Sequence, residues 1–521
     1  MDLRQTYEDV PYPDLCYAQT HPSRLATLSA LLGMQPAPVE RCRVLELGCA
    51  RGGNLIPLAE VFSESSFVGV DFSPSQVQAG QEAIDALGLD NIELHATDVR
   101  EFTAPPASFD YIIAHGFYSW VSPEVRDHAL SLCRVLLAPQ GVAYIGYNTY
   151  PGWHMMGSIR DMMQYKTRHV AATQDRGIAA RDFVQFIADW SPSNPTPGGS
   201  FSQSWSQMLK QYVEFSANNR DPDGPDPVIH DELEVFNSPV YFHQFVDHAT
   251  KHGLQYVTES DFPSVIPSNI HPNLLSEVTE HVSDLIELEQ IMDFLRNRSH
   301  RQTLLCHQEV SLNRSLNLDL NQLGPYRVRS RARPQGEFDC TDYTPAVFAG
   351  GKVSFSVDHP ATKCALKQLI QCTPESVPFH TLAQTVLSEL GVDGPESDQW
   401  RREHGLLAFH IMRAFTTSLD VVDLRTNRDH FVREISTKPM ASDLARYQAQ
   451  RGQWVTNRLH ERVRLDPLSQ RLLTLLNGNR SGREIIDELA SLVPSDESLE
   501  ERTQEVILRL EWMACSALLI A

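Results

Sequence analysis

The sequence predicts an α/β protein: a doubly wound, largely parallel sheet in its N-terminal third, then a mostly helical region and a C-terminal winged-helix region. Three observations carry this. Short apolar strands alternate with helix patterns from residue 43 to 147, as parallel strands joined by crossovers do. A glycine-rich turn over 48–53 joins the first strand to the first helix. The last third twice repeats the outline helix, helix, helix, short strand, that of a winged helix.

Each element has a local reason. Arg43 to Leu47 is an apolar run that stops at Gly48, and a helix pattern follows from Asn54 to Phe62. Phe67 to Asp71 is the second strand. Ser73-Pro74-Ser75 starts a helix, with serine at the cap and proline just inside, and Gly88 stops it after Leu87. Ile92 to Ala96 and Phe109 to Ala114 are the third and fourth strands. A helix from Pro123 to Leu137 leads to a fifth strand, Gly141 to Tyr147. Residues 148–210 read as less regular, with turn-rich stretches at 191–200 and 221–227. The helix from Tyr241 to His252-Gly253 and the strand Leu254 to Thr258 read as the return of the same sheet after a long insertion. Residues 274–308 read as helical. Tyr326 to Arg333 (YRVRSRAR) reads as an edge strand with a solvated arginine face. Helices follow from His359-Pro360, Phe379 and Leu406, with a short strand at Asp420 to Leu424. A second such series starts at Asp466-Pro467, and two packed helical bundles are the plainer reading of this repeat.

The chain has 521 residues, 44 basic against 66 acidic, and a formal charge of −22. At roughly 100–200 residues per domain, that is three or four domains. The acidic balance disfavours a general nucleic-acid binder and suits a basic partner or a cationic cofactor. The first lysine is Lys166. No run approaches the ~18 apolar residues of a membrane span, and the N-terminus lacks a signal pattern. The nine cysteines show no C-x-x-C pair, which disfavours a structural zinc site and fits reduced thiols. A cytoplasmic protein is expected.

The chemistry centres on Glu46-Leu47-Gly48-Cys49-Ala50-Arg51-Gly52-Gly53-Asn54. A phosphate loop needs Lys-Ser/Thr after its last glycine, and Asn54-Leu55 stand there. A dinucleotide loop needs a glycine where Ala50 stands, to admit pyrophosphate. S-adenosylmethionine has no pyrophosphate but carries a cationic amine and a sulfonium, which Glu46 suits. Asp71 ends the second strand, where an acid can accept from ribose hydroxyls. Phe72 can cover adenine, Asp98 can accept its exocyclic amine, and the Val99 backbone can meet a ring nitrogen.

These segments, VLELGCARGG, VGVDFS and ATDVREF, resemble the class I S-adenosylmethionine-dependent methyltransferases, whose core is a Rossmann-like doubly wound sheet. The likeness covers residues 40–147. PYPDLCYAQTHPSRL, IIAHGFYSWV, YNTYPGW, HDELEVFNSPVYFHQFVDHATKHGL and RQTLLCH are similar to one bacterial subfamily. It carries a methyltransferase regulatory domain, and its better-known members methylate lysines of outer-membrane proteins. The resemblance implies a cofactor-binding core at 1–165, an insertion and regulatory domain at 166–310, a middle domain at 311–440 that resembles a winged helix, and a C-terminal winged helix at 441–521. It implies S-adenosylmethionine as co-substrate, no metal, and cofactor contacts from Glu46, Gly48, Ala50, Gly52, Asp71, Phe72, Asp98, Val99 and His115.

His115, Tyr118, Trp120 and Tyr150 are the candidates on the acceptor side. His115 is a base, a cofactor lid or a hydrogen-bonded lining residue. Tyr118 and Trp120 line an acceptor channel or pack in the core. Tyr150 and Trp153 guide a lysine stem or belong to a rigid turn set by Pro151-Gly152. In the N-terminal segment Tyr7, Pro11, Tyr12 and His21 precede the sheet, and Tyr12 is a candidate lid. His230-Asp231 matches the subfamily, while Asp231 equally suits a helix cap. The expected function is methyl transfer to lysine of a protein or peptide, with no nucleic-acid partner, no membrane insertion, and a homodimer left open. The alternatives are a small-molecule or peptide natural-product methyltransferase and a non-catalytic cofactor sensor.

Overall fold

The computed structural model describes residues 8, 10–190, 200–219, 227–314, 323–492 and 499–521. Tyr7 and most of the two turn-rich stretches, 191–199 and 221–226, lie outside these residues. In chain order the core runs α1 (Pro22–Leu31), β1 (Arg43–Leu47), α2 (Ile56–Val61), β2 (Ser66–Asp71), α3 (Pro74–Leu87), β3 (Ile92–Ala96), β4 (Phe109–Ala114), α4 (Pro123–Leu136) and β5 (Leu137–Asn148). The Ser73 hydroxyl caps α3 by accepting the Gln76 N–H, and Gly88 closes it in the left-handed region.

The insertion is helical rather than irregular: α5 (Gly152–Thr167), α6 (Thr173–Trp190) and α7 (Ser200–Asn219). Ile159 and Met163 meet Ala180, Val184, Ala188 and Leu209 in a separate small core. The chain then returns through α8 (Phe242–Lys251), β6 (Leu254–Glu259), α9 (Leu274–Thr279), α10 (Leu285–Arg296) and β7 (His300–His307).

One seven-stranded sheet results, in the order β3-β2-β1-β4-β5-β7-β6. β1 to β5 pair in parallel, and β7 lies antiparallel between β5 and β6. The strand at 254 thus rejoins the sheet as expected, but residues 300–307 are a central strand, not the end of a helix. Asn297 in the left-handed region ends α10. Arg301 on β7 is buried under the sheet, where it donates to Glu259, Glu289 and Asp293.

The remainder comprises β8 (Arg327–Arg329), β9 (Arg333–Pro334), β10 (Ala346–Gly350), β11 (Val353–Val357), α11 (Pro360–Cys372), β12 (Val377–Pro378), α12 (Phe379–Glu389), α13 (Asp398–Thr417) and β13 (Asp423–Arg425). It continues with α14 (Asp443–Ala449), the hairpin β14 (Trp454–Thr456) and β15 (Arg462–Arg464), then α15 (Pro467–Leu475), α16 (Gly482–Leu492) and α17 (Leu499–Cys515). β8 lies between β12 and β13, so it is not an edge strand. Arg329 in it is not solvated but buried on Asp423, whereas Arg331 and Arg333 beyond its end are exposed, Arg331 pairing with Glu461. Among the described residues no helix is long and apolar enough to cross a membrane, and all nine cysteines are free thiols.

Candidate functional site

The carboxyl ends of β1, β2 and β4 and the segment 12–17 enclose a cavity of ≈ 320 Å³, within the range of about 300–1,000 Å³ typical of small-molecule sites. Glu46, Gly48, Ala50, Asp71, Phe72, Asp98, Val99, His115 and Trp120 all line it. Gly52 does not: it faces Leu94 and Ile56, so its place is in packing the turn onto the sheet. Gly48 has φ +77°, and a Cβ there would come within 2.9 Å of the Phe117 ring; only glycine fits that position without displacement.

Glu46 is buried, and its Oε1 accepts from Asn54 Nδ2 at 2.8 Å. Its Oε2 is buried with no hydrogen-bond partner among the described residues. Burial pushes the Glu46 carboxyl up to about 8, against the pull of Asn54. An orphaned acceptor of this kind on a cavity wall fits a cationic amine. Gln76 adds a second orphan: it lines the cavity, is buried, and neither of its side-chain polar atoms has a partner among the described residues. Asp71 accepts the Ser73 N–H on Oδ1 and the Ala50 N–H on Oδ2, each at 2.9 Å. These bonds fix the carboxylate, and each oxygen keeps a further lone pair for a hydroxyl donor. The residues present therefore fit a cofactor with a cationic end and a ribose.

Asp98 departs from expectation in part. Both its oxygens are taken by the Arg100 guanidinium, at 3.0 and 2.7 Å, which holds its carboxyl below the usual range. An adenine amine would share those oxygens. His115 lines the cavity, with Nδ1 2.9 Å from the Tyr144 hydroxyl and its ring 3.9 Å from that of Tyr17. Burial, with the charge of His300, holds His115 down to about 3. It stays neutral and is a poor acceptor for an ammonium proton.

Two candidates on the acceptor side fall elsewhere. Tyr118 is buried away from the cavity, edge-on to Phe245, with its hydroxyl 2.8 Å from His248 Nδ1. Side chains of a 3₁₀ turn point in three directions, so Trp120 reaches the cavity where Tyr118 does not. Tyr150 stacks on His154 at 4.1 Å and lines neither this cavity nor the next. Trp153 packs edge-on against Trp120. His21 caps α1 through Nδ1, and Pro11 lies outside both cavities.

Sequence reasoning missed Asp14, Tyr17, Asn54 and Gln76. Tyr12, Asp14 and Tyr17 line both this cavity and a second one of ≈ 700 Å³. The two meet at His115. The second cavity is walled by α7, by residues 228–232 and by the hairpin β14–β15, and it carries the acids Asp14, Asp231 and Glu232 together with Arg51, Arg451 and Arg462. Burial and the neighbouring Glu232 push Asp231 well above the carboxylate range. Glu232 accepts from the Tyr212 hydroxyl at 2.8 Å, and burial raises it to about 7. Asp231 therefore faces a cavity rather than capping a helix. The signal for this was the short spacing of three acids in 231–234, which a soluble loop could equally carry.

Comparisons with known proteins agree with this geometry. Residues 44–141 match a methyltransferase domain, residues 225–307 a "predicted methyltransferase regulatory domain", and residues 437–509 the "PKMT, C-terminal winged helix domain". The chain is 31% identical over 498 residues to the protein called uncharacterized protein RP789 of Rickettsia prowazekii, covering 94% of this chain and 86% of that one. It is 27% identical to PKMT2 from Rickettsia typhi, solved also in complex with AdoHcy, with a TM-score of 0.84 over 98% of this chain and all of that one. Over 100 residues it is 31% identical to human EEF1A lysine methyltransferase 2, spanning 42% of that protein.

Proposed function

The chain belongs to the S-adenosylmethionine-dependent methyltransferases that join a methyltransferase regulatory domain to a PKMT-type winged helix, and from that premise we propose that it methylates lysine side chains of a protein. The similarity to PKMT2, a protein-lysine methyltransferase by its name, supports this reading. The observation that carries it is the second cavity. It meets the cofactor cavity at Tyr17 and His115 and holds an acidic pair, half-buried Asp231 and buried Glu232. Burial makes a charged Asp231 costly, and a cation brought beside it would relieve that cost. A lysine ammonium reaching past Tyr212 toward Tyr17 would be that cation.

S-adenosylmethionine supplies an electrophilic methyl on its sulfonium. This chain must bring a neutral amine in line with it, so most of the work is orientation. Glu46 and Asp71 fix the cofactor's cationic end and ribose. Tyr17, its phenol kept protonated by burial, and His115, kept neutral, wall the junction without adding charge. Glu232, raised to about 7, is matched to taking the ammonium proton near neutral pH. The two walls contributed by the regulatory segment and the winged-helix hairpin suit a long side chain borne on a macromolecule better than a small free acceptor. The free thiols support a cytoplasmic site of action.

The test is transfer of radiolabelled methyl from S-adenosylmethionine into a membrane extract of the source cell, followed by digestion of labelled protein. Label on lysine, lost in Glu46→Gln and reduced in Glu232→Gln, is the expected result. Label only on other residue types, or only in small molecules, overturns it.

A further inference from the structure

Outside both cavities, Asp127 on α4 and His248 and His252 on α8 and its cap bring three ligand atoms within 4.8 Å of one another. The histidines are four residues apart, so their rings leave one helix face a turn apart. His248 Nε2 lies 3.2 Å and His252 Nε2 2.9 Å from the same oxygen, Asp127 Oδ1. A tetrahedral ion with bonds of ~2.0–2.1 Å holds its donors roughly 3.3 Å apart, so a shift of a few tenths of an ångström opens both Asp127–histidine distances to that size, and the two histidine nitrogens lie within 4.8 Å of each other. The side chains are 23%, 17% and 63% exposed for His248, His252 and Asp127. The histidines are thus largely walled in while the carboxylate side stays open to solvent, which leaves room for a fourth ligand.

A second observation supports a metal. Histidine ligands characteristically anchor their other ring nitrogen, and His248 Nδ1 lies 2.8 Å from the buried Tyr118 hydroxyl. Tyr118 is thereby drawn out of the acceptor role and into this cluster. It begins the turn whose Trp120, with the preceding Phe117, lines the cofactor cavity.

We propose that Asp127, His248 and His252 form a site for a divalent zinc-class cation that ties the regulatory segment to the methyltransferase core and steadies the cofactor cavity through Tyr118. The two sides of the site lie in the two matched regions, Asp127 in 44–141 and the histidines in 225–307. Two imidazoles and one carboxylate with an open fourth position are a donor set that zinc takes, and cobalt serves as its spectroscopic probe. The proposal stands whether or not the methyl acceptor is lysine.

The experiment uses full-length, untagged protein stripped with EDTA and titrated with Co²⁺ and with Zn²⁺. Visible absorption should show one saturable Co²⁺ site that Zn²⁺ displaces, and metal should raise the melting temperature. Asp127→Asn, which keeps the shape, and His252→Ala should each weaken Co²⁺ binding by at least about tenfold, while His95→Ala should not. Metal should also change S-adenosylmethionine affinity in the parent chain and not in Asp127→Asn. Binding unaltered by Asp127→Asn and His252→Ala, or the lack of a saturable site, overturns the proposal. A saturable site with no effect on cofactor affinity overturns the link through Tyr118.

Discussion

Ala50 and Glu46 show what single residues contribute to the cofactor cavity. Ala50 sits at φ +49°, a left-handed conformation that costs a non-glycine residue about 1–2 kcal/mol. The strain persists because its N–H is held by Asp71. Ala50→Gly relieves that strain but loosens the unfolded chain, so it should be neutral to stabilising by up to about 1 kcal/mol; Ala50→Val, β-branched, should destabilise by more. Thermal unfolding of both variants checks the pair. Glu46, raised to about 8, is largely protonated at neutral pH before the cofactor binds. A bound cation favours the carboxylate, so binding should release a proton, and affinity should climb as pH rises toward 8 and level off above it. Stability runs the other way. Glu46 is protonated more readily folded than unfolded, so the ligand-free protein loses its contribution as pH rises from the unfolded value through 8. Calorimetry in buffers of different ionisation enthalpy, with Glu46→Gln as the flat control, reads the proton directly. The same logic gives Glu232 a signature: kcat/KM for a lysine peptide should rise through about pH 7, and Glu232→Gln should remove that limb. Most of the cavity wall could be read in the sequence, because Glu46, Gly48, Asp71 and Phe72 sit at or just past the ends of strands. Tyr17, Asp14 and Gln76 could not, because nothing in their own spacing says that the N-terminal segment folds back over β1.

At the scale of elements, legibility followed period and partner distance. β1 to β4 are short apolar runs and emerged to within a residue, whereas β5 begins at Leu137, four residues before the expected Gly141. The insertion helices keep their apolar residues four apart, as in Ala180, Val184 and Ala188. Small residues and interspersed glycines dilute that pattern enough to pass for irregular chain. β7 was misread because it is a central strand with a charged residue inside. Arg301 is unreadable as a core residue until Glu259, Glu289 and Asp293 are seen around it. The same holds for Arg329, whose partner Asp423 is 94 residues away. Such a cluster is not a large source of net stability, but breaking it leaves buried carboxylates uncompensated. Arg301→Leu should therefore cost about 3–5 kcal/mol in urea unfolding at neutral pH. The loss should shrink as pH falls and the stranded carboxyls protonate, since Glu289 is already raised to about 7 beside the arginine.

Across the whole molecule, the C-terminal region reaches back into the cofactor site. The hairpin β14–β15 carries His460 at its tip. Its Nε2 donates to Asn54 Oδ1 at 2.8 Å, and Asn54 Nδ2 donates in turn to Glu46. Burial holds His460 down to about 3, so it remains a neutral donor across the working range. Arg458 beside it pairs with Glu60 at the end of α2 at 2.7 Å, and Glu60 also accepts the Leu444 N–H. The winged-helix region is thus wired to the turn that lines the cavity, whatever else it recognises. The helices of the C-terminal module were visible in the sequence through Asp466-Pro467. Their attachment was not, since Asn54 and His460 are 406 residues apart. His460→Ala removes one buried donor to Asn54 Oδ1, which the Tyr17 N–H and the Thr20 hydroxyl still hold, and loosens the bond to Glu46, at a cost of about 1 kcal/mol in binding, or roughly fivefold in S-adenosylmethionine affinity. Arg458→Ala, which loosens the docking without touching Asn54, should have a smaller effect in the same direction. Cofactor affinity in the two variants, with melting temperature measured alongside, separates a specific tie from general loosening. If His460→Ala leaves affinity intact in a folded protein, the hairpin only packs against the turn and the cofactor site is set by the core alone.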